Sequence, residues 1–364
     1  MRYLDKFKQA IKLLFPTRRG KNEGALWNGR ESGNSAREHL PVIHVLATGG
    51  TIAGKQADEG YRAGALSVEA LIESVPLLRD MANIQCEQVA NIGSQEMNDE
   101  VWLALARRIN ELLACRDVHG IVITHGTDTL EETAWFLDLT VNSAKPVVLV
   151  GAMRPADAPG ADGPANLLDA ARVALSSDSV ARGVLVVMHG CVFEARDVTK
   201  VSTVDLQAFA APNSGPLGRV LNGQVSYGRH LPRVTANRTV FDVSGLESLP
   251  PVGIVYGHAN ASGLPVQALI DAGYRGIVSA GVGNGNLHSE MLAALADAVD
   301  CDIGVVRASR VASGPTLPNV EVNDARHGFV AAGTLNPQKA RILLQLALTR
   351  TQEPGDIQKI FDAC

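Results

Sequence analysis

Val42-Ile43-His44-Val45-Leu46-Ala47-Thr48-Gly49-Gly50-Thr51-Ile52-Ala53-Gly54 is the stretch whose reading decides the fold. Its first six residues have the near-continuous apolar character of a strand buried on both faces, and a glycine-rich turn carrying two threonines follows at once. A second apolar run, Val118 to Thr124, ends the same way, in Thr124-His125-Gly126-Thr127-Asp128-Thr129. Hydroxyls therefore stand at the ends of two strands. Ligands of open α/β sheets bind in the crevice beyond the carboxyl ends of the strands, so the two turns can face one substrate and act on it from different loops. That arrangement suits hydrolysis or acyl transfer. The first turn lacks the Gly-x-Gly-x-x-Gly fingerprint of a dinucleotide site.

Working outward, strand and helix alternate. Ser67-Val68-Glu69-Ala70 opens a helix with a good N-cap, Ile84 to Ile92 reads as a strand, and Asn98-Asp99 caps a helix whose apolar stripe is Trp102, Leu105, Ile109, Leu112 and Leu113. Thr129-x-x-Glu132 matches a capping box. Strands at Pro146 to Val150 and Val184 to Met188 bracket a helix begun by Gly163-Pro164. From about Asn213 to Pro251 the pattern weakens into Gly- and Pro-punctuated segments. It resumes with strands at Val252 to Tyr256, Gly276 to Ala280 and Ile303 to Val306, helices from about Ser262 and His288, and a helix from Asn336-Pro337 through Arg350. The expected fold is α/β, a mostly parallel sheet with right-handed crossovers. Its parts are a flexible tail (1–40), a larger N-terminal catalytic α/β domain (41–228), a linker (229–250) and a smaller C-terminal α/β domain (251–364).

Composition agrees with this. The chain has 364 residues, 46% hydrophobic and 20% charged, enough for two cores, and a formal net charge of -5 provides no broad basic field for nucleic acid. A small-molecule substrate fits better. The cysteines, Cys86, Cys115, Cys191, Cys301 and Cys364, are widely spaced with no Cys-x-x-Cys pair, and the histidines form no His-Glu-x-x-His. Neither a metal nor another cofactor is expected. No apolar run reaches the ~20 residues of a membrane span. Residues 1 to 21 carry seven basic side chains with apolar residues near helical spacing, but Lys12 interrupts the stretch Ala10 to Phe15. An export signal needs at least ~7 uninterrupted apolar residues, so the literal expectation is a cytoplasmic location.

Threonine is a weak nucleophile at its free pKa, so Thr51 or Thr127 needs a neighbouring base or polarising group. Tyr61 lies in a loop with Gly54, Gly60 and Gly64 that reads as a lid over the site. Lys200, in Arg196-Asp197-Val198-Thr199-Lys200, is a candidate to pair with Asp128 and to exchange protons with Thr127. Plain structural readings stand beside these: a tight turn at Gly49-Gly50, helix caps at Asp128 and Thr129, a solvated Lys200, a packing role for Tyr61.

The motifs occur together in one order. Thr48 to Gly54, Ile123 to Glu132, Gly151 to Pro155, Asp162-Gly163-Pro164, Asp197 to Lys200, Gly281 to Asn286 and Gly333 to Pro337 mark a chain that, from about Pro41 to Phe361, resembles bacterial type II L-asparaginases. The resemblance implies a threonine-nucleophile amidohydrolase that converts L-asparagine to L-aspartate and ammonia through an acyl-enzyme. Thr51 matches the nucleophile and Tyr61 the lid hydroxyl that polarises it. Thr127, Asp128 and Lys200 match a second set that handles water and its proton, and either threonine has been argued to attack first. Ser94, Gln95, Asp128, Asn286 and Glu321 match substrate-binding residues, the last two lent by a neighbouring subunit. An intimate dimer, paired again into a homotetramer, is therefore expected. Asn286 stands where relatives with strong glutaminase activity often have serine, which leans toward asparagine. The family likeness also raises the periplasm as an alternative location. Two competing functions are an amidase subunit of a tRNA-dependent amidotransferase, which would carry a substantial extra N-terminal domain, and a non-catalytic amino-acid sensor on the same fold.

Overall fold

In the computed structural model, residues 40–57, 60–62, 64–228 and 241–364 are described. The tail expected before residue 40 and most of the expected linker lie outside the described residues. The opening apolar stretch forms β1 (Val42–Gly49), buried from Val45 onward. One turn of 3-10 helix at Thr51–Ala53 leads into an antiparallel hairpin, β2 (Lys55–Ala57) and β3 (Gly60–Arg62). Next come α1 (Val68–Glu73), α2 (Leu78–Met81), β4 (Asn83–Ile92), α3 (Asp99–Ala114), β5 (Val118–Thr124), α4 (Leu130–Thr140), β6 (Val147–Val150), α5 (Gly163–Leu175) and β7 (Val184–Met188).

Two of the expected caps form. Ser67 Oγ accepts from the Ala70 N–H at 3.3 Å and Asn98 Oδ1 from Val101 at 3.1 Å, each satisfying an amide that the first helical turn leaves unpaired. The expected capping box does not form. Thr129 occupies the N-cap of α4 without a side-chain cap bond; its hydroxyl donates instead to the Ser94 carbonyl at 2.7 Å. A partner distant in sequence has displaced the local one.

The large sheet has the order β12-β11-β8-β7-β6-β5-β1-β4, where β8 is Cys191–Glu194, β11 is Gly218–Leu221 and β12 is Gln224–Tyr227; a short pair, β9 (Thr199–Lys200) and β10 (Phe209–Ala210), lies apart from it. Its strands β4, β1, β5, β6 and β7 are parallel. Taken in chain order, these five follow the doubly wound sequence 2-1-3-4-5, whose direction of winding reverses between β1 and β5. Both threonine turns leave the sheet at that reversal.

The antiparallel extension was not expected from sequence. It is built by tight two-residue turns with both φ positive, at His189-Gly190 (φ 49 and 71) and Asn222-Gly223 (φ 50 and 80). Such turns match the twist of the strands they join, and Asn-Gly is their strongest local signal. At His189-Gly190 the glycine takes the second positive φ without steric cost.

The second half has an all-parallel sheet in the order β13-β14-β15-β16, formed by β13 (Val252–Tyr256), β14 (Gly276–Gly281), β15 (Gly304–Ser309) and β16 (Phe329–Ala331), with α6 (Leu264–Asp271), α7 (Ser289–Asp300), α8 (Asp324–His327), α9 (Pro337–Ala347) and α10 (Pro354–Ala363) around it. The short α8 and β16 and the terminal α10 escaped the sequence reading, and α9 stops before Arg350. A single buried cluster runs from Leu46, Trp102 and Phe136 through Trp135 to Val278, Val306 and Leu344. The two sheets thus share one core across α4 and α9, and Leu40–Cys364 form one unit. Among the described residues no helix is long and apolar enough to cross a membrane.

Candidate active site

Three neighbouring parallel strands, β4, β1 and β5, end side by side and release Ser94-Gln95, Thr51 and Thr127-Asp128. The turns after β1 and β5 touch through glycine. Gly50 has φ 81, and a Cβ built on it would lie 2.3 Å from the Gly126 amide nitrogen; one built on Gly126 would lie 2.7 Å from Ser94 Oγ. Only residues without side chains let Thr51 and Thr127, one position further along each turn, share a crevice.

Lys200 enters this crevice from β9. Its Nζ donates to Thr127 Oγ1 at 2.9 Å and to Asp128 Oδ1 at 2.6 Å. The Lys200 side chain is 19% exposed and that of Asp128 56%, so the ion pair is half open to water, while Thr127 itself is buried. Ser94 Oγ accepts from the Asp128 N–H at 3.1 Å, which fixes the turn and leaves the serine O–H to donate elsewhere. Thr51 is half-buried at the start of its 3-10 turn, and its carbonyl accepts from Gly54 at 2.8 Å. The structure therefore joins Thr127, Asp128, Lys200 and Ser94 as one hydrogen-bonded group, with Thr51 on the adjoining turn and Gln95 exposed beside Ser94.

Tyr61 belongs to the segment that follows the Thr51 turn. It lies on β3 opposite Gln56 within a two-stranded hairpin, and the hairpin is tied back to the site where Gly64 N–H donates to the Gly50 carbonyl at 3.2 Å.

Asn286 and Glu321 form a separate pair. Asn286 Nδ2 donates to Glu321 Oε2 at 3.0 Å, both side chains are exposed, and among the described residues neither hydrogen-bonds Ser94, Gln95, Thr127, Asp128 or Lys200. What positions this pair is Arg307, which the sequence reading missed. Fully buried, it makes a bidentate ion pair to Asp324 (2.5 and 2.7 Å) and donates to the Asn284, Gly285 and Leu317 carbonyls. All five guanidinium N–H groups are used, binding the turn that bears Asn286 to the loop that bears Glu321.

Behind Thr127, His125 is buried with Nδ1 2.6 Å from the Gly126 carbonyl and Nε2 2.9 Å from Thr133 Oγ1. A carbonyl only accepts, so Nδ1 carries the proton and Nε2 accepts from Thr133, whose oxygen accepts from Trp102 Nε1 at 2.8 Å. Burial pushes the imidazole pKa down to about 4 against the pull of the Gly126 carbonyl. A neutral histidine thus fixes the peptide that carries the Thr127 N–H.

Two family models match this chain, "Asparaginase, N-terminal" over residues 42–233 and "Glutaminase/Asparaginase C-terminal domain" over residues 251–361. The chain belongs to the asparaginase family. Among its relatives, the Escherichia coli protein named "L-asparaginase 2" is 56% identical over 326 residues, covering 89% of this chain and 93% of that one. "Probable L-asparaginase periplasmic" of Haemophilus influenzae is 55% identical with the same coverage. A "Glutaminase-asparaginase" of Pseudomonas fluorescens is 45% identical over 88% of this chain and 90% of its own length. The N-terminal asparaginase model spans the crevice at β4, β1 and β5, and the C-terminal model spans Asn286, Arg307 and Glu321.

Proposed function

We propose that this member of the asparaginase family hydrolyses L-asparagine to L-aspartate and ammonia through a threonine ester, with weaker activity on L-glutamine. The observation that carries the proposal is the Lys200 ammonium held within hydrogen-bonding distance of both Thr127 and Asp128 at the winding reversal of the sheet. The names of the relatives support the choice of substrate.

In the proposed reaction the Thr51 oxygen attacks the side-chain amide carbon, with Tyr61 polarising the hydroxyl, and the carbonyl electrons move to oxygen. The Thr127 N–H stabilises that oxyanion. Collapse breaks the C–N bond; the leaving nitrogen takes up the proton lost by the hydroxyl and departs as ammonia. Water then attacks the ester and gives a proton to Thr127 Oγ1 as Thr127 passes its own to Lys200 Nζ and Lys200 releases one to the Asp128 carboxylate; the relay returns a proton to the Thr51 oxygen as the ester C–O bond breaks and aspartate leaves.

The two ends of the substrate need opposite charges. Its α-ammonium is met by the carboxylates of Asp128 and Glu321 and the amide oxygen of Gln95, and its α-carboxylate by the Ser94 hydroxyl and backbone N–H groups of the turns. Glu321 and Asn286 reach the crevice from a neighbouring copy, so the working enzyme is an intimate dimer, doubled into a tetramer. Subcellular fractionation with N-terminal sequencing of the native protein assigns its compartment, cytoplasm or periplasm.

Ammonia release from L-asparagine tests the proposal. Thr51→Ala and Thr127→Ala each lower kcat by roughly a thousandfold or more; native turnover in both variants would end it. Asparagine and glutamine differ by one methylene, so their kcat/KM ratio reads a discrimination of about 1–3 kcal/mol.

A further inference from the structure

Gly333-Thr334-Leu335-Asn336-Pro337 and the helix it opens lie outside the proposed chemistry, yet they grip the segment that carries Lys200. Lys339, on α9 and only 1% exposed, donates from Nζ to the Arg196 carbonyl at 3.0 Å and to the Val198 carbonyl. From the other side Glu131, buried on α4 just after Thr127-Asp128, accepts the Lys200 backbone N–H on Oε2 at 2.9 Å. Its second oxygen accepts from Gln338 Nε2 at 2.5 Å, so the two buried side chains are braced through adjacent residues of one helix. Two further contacts reinforce the strap: Arg196 Nη1 donates to Thr334 Oγ1 at 2.6 Å, and Asn336 Nδ2 reaches Thr199 Oγ1 at 3.4 Å.

We infer that Glu131 and Lys339 are positioning residues for Lys200, a buried clamp through which the C-terminal half of the chain sets the height of the Lys200 ammonium over Thr127 and Asp128. The inference rests on the role proposed for Lys200. Alternate backbone groups of the strap, the carbonyls of 196 and 198 and the amide of 200, are each held by a side chain that cannot shift without leaving a buried charge or carbonyl unpaired. Lys200 Nζ is thereby fixed at the root of its side chain as well as at its tip. Burial lowers the Lys339 pKa to about 8 against the nearby carboxylates of Glu131, Asp197 and Glu194, and with the Arg196 charge pushing the same way as burial. A neutral amine keeps two N–H donors, so the grip on both carbonyls survives deprotonation; reach rather than charge is the operative property.

Glu131→Asp and Glu131→Gln separate reach from charge. Glu131→Asp keeps the charge and loses a methylene of reach; it lowers kcat roughly 10- to 100-fold with KM nearly unchanged, the usual cost of misplacing a reacting group by an ångström. Glu131→Gln keeps the reach: its amide oxygen accepts from the Lys200 N–H, and its N–H donates to Gln338 once that amide turns over to present its oxygen, so kcat stays within about twofold. Lys339→Met, measured in the native and in the Lys200→Met background, lowers kcat in the first and has no further effect in the second. A Lys200→Met enzyme with native turnover would refute the proposed role of Lys200 itself. If Lys200→Met is impaired but Glu131→Asp is native, or Glu131→Gln is as poor as Glu131→Asp, the clamp is wrong and the reading of Lys200 stands. Equal losses from Lys339→Met in both backgrounds also overturn the clamp, marking Lys339 as a structural residue only. Should Lys339→Met fail to fold, the two Glu131 variants decide.

Discussion

His125 illustrates how one buried side chain ties the site to the acidity of the medium. The unfolded chain takes up a proton near the ordinary pKa of 6.5, whereas the folded imidazole resists it down to about 4. Its contribution to stability is therefore complete above pH 6.5 and is lost as pH falls through that window, about 3 kcal/mol in all. Glu132 works with the opposite sign. Burial lifts its pKa to about 7 despite the opposing charges of Arg341 and Lys339, so its contribution is complete below pH 4.5 and fades as pH rises through 7. The two offset each other between pH 4.5 and 6.5, and comparison with His125→Gln separates them. The stability gap between native and variant, from urea unfolding, shrinks by about 2–3 kcal/mol between pH 7 and pH 4.5. A gap independent of pH would show that His125 is not neutral in the fold.

At the scale of the elements, the decisive contact is between two turns. Gly50 needs both its positive φ and the absence of a Cβ, because the nearest atoms are backbone atoms of Gly126 that have no room to give way. Gly50→Ala costs about 1–3 kcal/mol through φ alone, and relief of the clash separates the crevice walls that hold Thr51 and Thr127. Loss of ammonia release together with a lowered thermal midpoint is the expected outcome. Gly245→Ala is the matched control, since that position has an ordinary φ and nothing within 4 Å of the added Cβ; it leaves both readings unchanged. Full activity in Gly50→Ala would mean that the turns need not touch.

For the whole molecule, what matters is whether one chain carries a complete site. Arg307 and Asp324, 0% and 4% exposed, hold Asn286 and Glu321 rigidly together, yet among the described residues this pair makes no hydrogen bond to the Lys200 group of its own chain. Rigid and exposed, the pair has the form that the proposed delivery to a neighbouring copy requires. A monomer enforced by charged substitutions at the subunit contacts is expected to bind L-asparagine weakly, with KM raised more than kcat is lowered. Kinetics at concentrations matched to sedimentation runs check this, and a fully active monomer would refute the shared site.

Much of the fold was legible because parallel strands buried on both faces leave continuous apolar runs, as at Val42 to Ala47 and Val118 to Thr124. Helix starts were legible where the cap is local, at Ser67 and Asn98. The two threonine turns announced themselves through glycine and hydroxyl chemistry at strand ends, Lys200 through its place after a strand ending near the crevice, and the family resemblance added Ser94, Gln95, Asn286 and Glu321. Thr129 misled because its hydroxyl chose Ser94, 35 residues away in sequence, over the neighbouring amides. The antiparallel edge was missed although Asn222-Gly223 signals a hairpin, because strands of four residues carry too little periodicity to read. The sequence reading gave Glu131, Lys339 and Arg307 no role of their own, because their partners are distant in sequence. Sequence alone determined the α/β class and the alternation of strands and helices, which rest on local pattern, and through the family resemblance it nominated the groups proposed to react. Only the tertiary structure decided that Gly50 meets Gly126, that Lys200 reaches Thr127 and Asp128, and that buried charges from both halves hold it there, because the free energy of burying a charged group depends on partners that only the folded chain brings together.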